Sequence, residues 1–478
     1  VPAVVRNELK VGEYASFREL ADLNGQFKAM KKYTEAHQRL DKQRDEFDKK
    51  LIKVVEKFEV VQAIFSWQYM KLLPVKKDAS KTWHVPLSQE VMQLDSTSSM
   101  RALRYIAGLD EAAKSNQYGK VNDLLVQLKD YQRSEAGEIC PSESKVNIEI
   151  SYNRMGIFKN SMYSYLLLGF ALLIVFFVRI FTQPTLTAEK KFKIIGRILV
   201  GFLIVIFAYH GTGLGFRWYI SGHAPWSNGY EAVVFIAWVS MIAGFVFAKK
   251  NPVVIAVAAI LAFFLIFVSE MNLLDPEITP LQPVLKSYWL MIHVAIITGS
   301  YGFLGLSAIL GFINLTLYMT RGTKSNQTIN LNINEITYVS ELTMTIGLFM
   351  LTIGTFLGGV WANESWGRYW GWDAKETWAL VSVLVYAIIL HLRYIPGLKS
   401  KFTFNMVSLW GFSAILFTFF GVNFVLGGLH SYAQGDSILK FPSWLKYIIF
   451  GFFVFSVIAA FINSKYNKKM KAELEKEL

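Results

Sequence analysis

The sequence predicts an all-α polytopic membrane protein of about nine transmembrane helices, with an N-terminal, mainly helical extracytoplasmic domain. Three observations predict it. Charged residues make up 18% of the 478 positions and hydrophobic ones 53%, whereas an average soluble domain has about 25% and about 45–50%. The charge is also unevenly placed: residues 1–160 hold 26 Lys+Arg and 22 Asp+Glu, and the remainder holds 23 and 14. Beyond residue 160, apolar runs recur at close to the roughly 20 residues that a helix needs to cross a hydrocarbon core of about 30 Å.

Within residues 1–159, the stretch 11–73 carries apolar residues at Phe17, Leu20, Phe27, Met30, Tyr33, Leu40, Phe47, Leu51, Val54, Val55 and Phe58. Their spacings of three and four predict one long amphipathic helix, stopped by Pro74. A loop with Trp83, His84 and Pro86 follows, then helix over 100–132. Val146, Ile148, Ile150 and Tyr152 alternate like a short strand. His37 among charges and His84 beside Trp83 read as solvated or packed side chains, and nothing in this part has catalytic spacing. The nine predicted spans are 160–182, 192–215, 229–248, 252–269, 288–319, 338–361, 376–395, 402–427 and 443–463, a membrane domain over 160–463 with every backbone hydrogen bond closed inside a helix. A basic tail, 464–478, completes the chain.

Lysine and arginine orient such spans. One side collects Lys190, Lys191, Lys193, Lys249, Lys250, Arg321, Lys324, Arg393, Lys399, Lys401 and the tail residues Lys465, Lys468, Lys469, Lys471 and Lys476. The opposite loops offer Arg217, Lys286, Arg368, Lys375 and Lys440. This asymmetry places the C-terminus in the cytoplasm and, across nine spans, residues 1–159 outside. The net charge of +13 is then largely a topology signal, and nucleic acid is not expected as a partner. The lone cysteine, Cys140, excludes an internal disulfide, a CxxC redox pair and a cysteine zinc site; no CxxCH haem attachment sequence is present. The chain starts at Val1 with no leader pattern, and reads as a fragment or a processed product.

The 13 tryptophans are one-sided. Trp218, Trp226, Trp289, Trp361, Trp366, Trp370, Trp372, Trp378 and Trp444 fall at outer loops or outer helix ends. An interfacial belt decorates both membrane faces, whereas indoles gathered on one face suit a large, flat, apolar ligand. His293 lies near the outer end of its span and His430 just beyond the outer end of another. A histidine beside a membrane segment is a functional candidate by default, and two flanking an indole-rich loop fit axial ligation of a haem iron.

The loop itself reads WGRYWGWDAKETWAL over 366–380. It resembles the tryptophan-rich WWD signature of haem-handling proteins, in the version of the System II cytochrome c synthases, the CcsA or fused CcsBA family. The segment HGTGLGFRWYISGHAPWSNGYE over 210–231 is similar to that family's loop between two early spans. The likeness covers about 200–440; Ala374 stands where the family usually has proline after the aspartate.

The resemblance implies a protein of the bacterial inner membrane that brings haem b from the cytoplasm to an outer WWD site, over 361–378. There the vinyl groups are joined to the cysteines of a CxxCH motif in apocytochrome c. His293 and His430 match the family's outer axial histidines, and His391 matches a histidine that binds haem within the membrane. Trp366, Tyr369, Trp370, Trp372 and Trp378 would line the ring. Asp373, three residues before Glu376, is either a capping-box residue or a haem contact. Arg368, Lys375 and Arg217 are outer-face cations able to meet the propionates, or interfacial anchors. His391 lies 15 residues past Glu376, hence about 22 Å deeper, and cannot share an iron with His293 or His430. His210 does not fit as its partner, so the second ligand is expected from membrane segments preceding Val1 in a fusion, or from a CcsB-type subunit. A thiol reductant protein is implied, because Cys140 alone cannot reduce a substrate disulfide.

Three other readings stay open on the residues alone. One is a haem exporter or delivery protein without attachment activity. Another is a respiratory b-type cytochrome subunit, which would stack paired histidines at two depths. The third, an ion-coupled transporter, is disfavoured by the sparse charge within the spans.

Overall fold

The computed structural model describes all residues except 24, 40–42, 75–81, 87, 183, 272, 280, 282, 322–326, 425, 427–442 and 478. The chain divides into two compact units, Val1–Ser142 and Glu143–Leu478.

The first unit is helical, but its helices are shorter than the apolar stripe predicts. It contains α1 (Ala3–Leu9), α2 (Phe17–Leu20), α3 (Met30–Gln38) and α4 (Glu46–Phe65). The expected single helix is broken by caps: Ser16 and Glu19 form a capping box before α2, and the Asp45 side chain accepts from Asp48 N–H before α4. The stripe is shared by pieces that fold back on one another, with Phe17 stacked on Phe58 at 4.5 Å in a core with Val5, Leu20, Phe27 and Leu51. Helix α4 ends at Phe65 rather than at Pro74, and Leu73–Pro74 (β1) pairs antiparallel with Trp83–His84 (β2). Then come α5 (Gln89–Leu94), α6 (Ser96–Ser115) and α7 (Gly119–Ala136). Asn116, in the left-handed conformation, ends α6 and splits the expected 100–132 helix.

The second unit opens with α8 (Glu143–Met155), where a strand was expected. Val146 with Ile150, and Ile148 with Tyr152, are each four residues apart, so the alternation satisfies helical spacing equally. The unit continues through α9 (Ile157–Thr182), α10 (Leu186–Ser221), α11 (Gly229–Phe247), α12 (Val253–Ser269), α13 (Tyr288–Thr320), α14 (Gln327–Trp366), α15 (Ala374–His391) and α16 (Lys401–Leu416). A π-helical segment, Phe417–Gly421, joins α16 to α17 (Val422–Phe424), and α18 (Ser443–Glu477) follows. Among the described residues, eight helices are long and apolar enough to cross a membrane. The ninth predicted span is α12, shorter at 17 residues and buried along most of its length in a core shared with residues of α9 and α11.

Glycines let the helices meet at backbone distance. A Cβ on Gly347 would lie 2.7 Å from Leu304, and one on Gly354 would lie 2.9–3.1 Å from Ile297, so α13 and α14 are in direct contact along their length. Between α13, α14 and α16, Asn314 Nδ2 donates to Thr337 Oγ1 and Asn405 Oδ1, both at 2.9 Å.

Candidate functional site

The α13–α14 contact creates the first element of the site. Gly354 and Gly358 are one turn apart on α14, and His293 of α13 lies against both. His293 Nδ1 is 2.7 Å from the Gly354 carbonyl oxygen, and a Cβ on Gly358 would fall 2.7 Å from His293 Cε1 and 3.2 Å from Nε2. A carbonyl only accepts, so Nδ1 carries the proton and, in the neutral ring, Nε2 holds the lone pair. Metal-binding histidines are oriented in this way. The chemistry of this donor therefore fits an iron ligand.

The tryptophan-rich loop starts from the same end of α14. A Cβ on Gly359 would lie 2.9 Å from the Tyr369 carbonyl, so the loop backbone sits one residue from the glycine that faces His293. Glu376 organises the loop: Oε2 accepts from Gly371 N–H at 2.7 Å and Asp373 N–H at 3.3 Å, and Oε1 pairs with Arg368 at 3.3 Å. Asp373 completes the capping box at the start of α15, which is the loop-shaping alternative read from the sequence. Arg368 lies across Gly371, where a Cβ would sit 1.7 Å from its Nη1, and over the Trp366 ring at 5.6 Å. Trp372 has φ +58°, a left-handed conformation that is strained for a bulky side chain and of the kind that gathers at functional sites.

The indoles divide into a packed set and an outward set. Trp361 is buried edge-on to Trp366 at 4.8 Å, and Trp378 packs on Phe417 at 4.1 Å. Tyr369 and Trp372 are 63% and 71% exposed; Trp370 stands edge-on to Trp372 at 5.8 Å. Trp370 Nε1 is buried with no acceptor among the described residues, and a buried N–H of this kind calls for a partner. A second indole pair, Trp218 with Trp226, reaches the same helix as His293, because Trp226 Nε1 donates to the Met291 carbonyl at 3.0 Å.

Other expected site residues lie elsewhere. Arg217 is buried with a carboxylate of its own: it meets Glu231 at 2.9 Å, Tyr152 at 3.1 Å and the Pro276 carbonyl at 2.9 Å. Lys375 reaches across to α17, Nζ donating to Asn423 Oδ1 at 3.0 Å. His391, at the far end of α15 from the loop, is exposed, with Nδ1 at 2.7 Å from the Ala387 carbonyl, which in the neutral ring leaves the lone pair on Nε2. Beside it Arg393 pairs with Glu341. His210 is fully buried against Tyr165 and Phe158 and does not reach His391. His430 lies outside the described residues. Among the described residues, no group of three or more His, Cys, Asp or Glu gathers as a metal site.

Gly358 is readable from the sequence as a place of close backbone approach or of plain helix packing, whereas the roles of Gly354, Thr418 and Asn423 are missed. Gly354 had a signal, a glycine four residues before Gly358 opposite a membrane histidine. The last two depend on a π-helical turn that no local pattern announces.

A family model described as cytochrome C assembly protein matches residues 226–430. The chain is 38% identical over 426 residues to protein NrfI of Wolinella succinogenes, covering 89% of this chain but only 46% of that protein. It is 34% identical over 274 residues to the cytochrome c biogenesis protein CcsA of Prochlorococcus marinus, covering 51% of this chain and 85% of CcsA. With CcsA of Guillardia theta it shares 35% identity over 241 residues, 46% of this chain and 80% of the relative. The chain therefore spans about half the length of NrfI and most of the CcsA proteins. It is a polytopic, all-α membrane protein that belongs to the CcsA-type cytochrome c assembly family.

Proposed function

We propose that this chain is the haem-holding part of a System II holocytochrome c synthase, a haem lyase of the bacterial inner membrane. In this reading it exports haem b to the outer WWD loop and presents it to the CxxCH motif of apocytochrome c. The observation that supports it most is His293, fixed by the Gly354 carbonyl so that Nε2 is the ligating nitrogen and set against Gly358, next to the glycine that the tryptophan-rich loop touches. Haem supplies the vinyl groups that accept the two cysteine S–H bonds, each addition forming one S–C and one C–H bond. The chain's own residues position and shield. His293 and His430 would take the two axial positions, Tyr369 and Trp372 would lie beside the ring, and Trp370 Nε1 would donate to a propionate, with Arg368 nearby. No redox change accompanies thioether formation, so the substrate thiols must arrive reduced, from a separate thiol reductant.

His391 would hold haem at a second, deeper position. Its exposure on the outside of the helix supports a second ligand from another membrane segment, in a longer fusion or in a CcsB-type subunit. The basic loops support an orientation with the C-terminus cytoplasmic and residues 1–159, with the loop, periplasmic.

The test is the absorption spectrum of the purified protein and of its His293→Ala, His430→Ala and His391→Ala variants, together with haem attachment to an apocytochrome resistant to acid–acetone extraction. Loss of the low-spin spectrum in either outer variant, restored by added imidazole, is expected. Full attachment by both outer variants overturns axial ligation. Bound haem that is never attached to the apocytochrome points to delivery alone.

A further inference from the structure

One face of α15 is joined to the π-helical segment and to the short α17 that follows it at three successive levels. At the first, Lys375 Nζ donates to Asn423 Oδ1 at 3.0 Å. At the second, the Trp378 and Phe417 rings meet at 4.1 Å. At the third, the buried Thr418 hydroxyl lies 3.1 Å from the Trp378 carbonyl and 2.9 Å from Ser382 Oγ. Residues 375, 378 and 382 follow spacings of three and four, so they share one side of the helix.

The other half of the contact is unusual backbone. A π turn widens the helix and frees carbonyls from their ordinary partners. Here Asn423 Nδ2 donates back to the Phe419 carbonyl at 2.6 Å. Its amide is therefore committed on both sides, closing the π turn with its nitrogen and receiving Lys375 with its oxygen. Gly421 completes the turn, since a Cβ there would lie 2.6 Å from the Phe417 ring. Lys375 is the second residue of α15 and lies inside the capping box, formed by Asp373 and Glu376, that terminates the tryptophan-rich loop. Asn423 is seven residues before His430 in the sequence.

We propose that Lys375 and Asn423 form a positioning pair. The lysine does not meet a propionate; it fixes the register between the tryptophan-rich loop and the π-helical segment from which the chain runs on to His430. The inference rests on the functional reading above in treating His430 as a haem ligand. The Lys375–Asn423 pairing itself does not depend on that reading. An uncharged amide as acceptor explains the geometry, because it can bond the lysine and the backbone carbonyl at once, whereas a carboxylate has no N–H to close the turn.

The test uses the full chain, purified in detergent, with Lys375→Met, Asn423→Leu, their double variant and Lys375→Arg. Each single apolar variant is expected to lower the low-spin haem content about tenfold, as for loss of one partner of a charge-assisted hydrogen bond. The double variant is expected to be no worse than either single, and Lys375→Arg to retain most of the signal. Added imidazole restores the low-spin spectrum of Asn423→Leu if the ligand beyond it has been misplaced, which a merely unfolded protein would not show. A wild-type spectrum in Asn423→Leu alongside haem loss in Lys375→Met overturns the pair and returns the lysine to direct ligand contact. Additive losses overturn it as well. If the wild-type protein binds no haem, the functional reading fails, and the pair is then judged by the thermal midpoints alone: non-additive shifts support it and additive shifts overturn it.

Discussion

His293 shows what one residue requires of its neighbours. A membrane histidine is conspicuous in sequence, but its usable nitrogen is decided by the atom opposite the other one, here a carbonyl that no sequence pattern names. Gly358 is part of the same arrangement, because the imidazole lies where a side chain would be. Gly358→Ala places a methyl 2.7 Å from Cε1, and overpacking of this kind costs about 1–3 kcal/mol. The ring, at the end of a rotatable side chain, is the group that yields. The expected result is loss of the low-spin haem spectrum with only a small fall in thermal midpoint. Gly215→Ala is the matched control, since a Cβ there meets nothing within 4 Å; it should leave both readouts unchanged. Equal behaviour of the two variants would remove Gly358 from the site. Asp373 and Glu376, by contrast, were legible as a capping box from spacing alone, because that chemistry is local.

At the scale of elements, most of the spans were legible because hydrophobic length is a direct physical requirement of the bilayer. The breaks in the first unit were not, since a stripe at helical spacing is the same whether one helix or three carry it. Caps decide between these, and α6 offers a direct check. Asp95 accepts from Ser98 N–H at 3.2 Å, from Thr97 at 2.7 Å and from Tyr131 at 3.3 Å, and also from the Ser98 hydroxyl. Burial raises its carboxyl pKa, but these hydrogen bonds outweigh it and hold the group below its ordinary value. A lowered carboxylate stabilises the fold above its unfolded pKa and stops doing so as pH falls through the folded one, so the contribution is complete at neutral pH and fades below about pH 4. Asp95→Ala is expected to cost about 1 kcal/mol at pH 7, seen as faster amide exchange in Ser96–Ser115, and to remove that part of the acid dependence. Unchanged exchange would show that the cap is dispensable. In the second unit, Arg217 ties α10 to Glu231, Tyr152 and Pro276. Arg217→Met, leaving the carboxylate buried alone, should cost about 3–5 kcal/mol, with Arg217→Met/Glu231→Met recovering much of it. A thermal midpoint that falls equally in the single and double variants would count against the pair.

For the membrane unit as a whole, the number of crossings turns on one helix. Among the described residues eight helices have the length to cross, and α12, with 17 residues, reaches only about 25 Å at 1.5 Å per residue. If α12 does not cross, the count is even, both ends of the membrane unit lie on one side, and every loop after it changes face. Lys190 and Lys249 would then be opposite Arg321, Arg393 and Lys471, and the basic asymmetry would cancel. If α12 crosses, all of them share the cytoplasmic face, as the positive-inside rule requires. Its short length is tolerable because its sides are covered by protein, so neighbouring helices rather than α12 itself meet most of the lipid, and mismatch costs only fractions of a kcal/mol per Å. Single cysteines at Lys114, whose side chain is 74% exposed, and at Lys471, 81% exposed, decide the matter in a Cys140→Ser background. In intact spheroplasts a membrane-impermeant maleimide should label position 114 and leave 471 untouched until the membrane is permeabilised. Labelling of both from outside would mean an even number of crossings, with the His293 end of α13 and the tryptophan-rich loop turned toward the cytoplasm, where the proposed attachment to an exported apocytochrome could not take place.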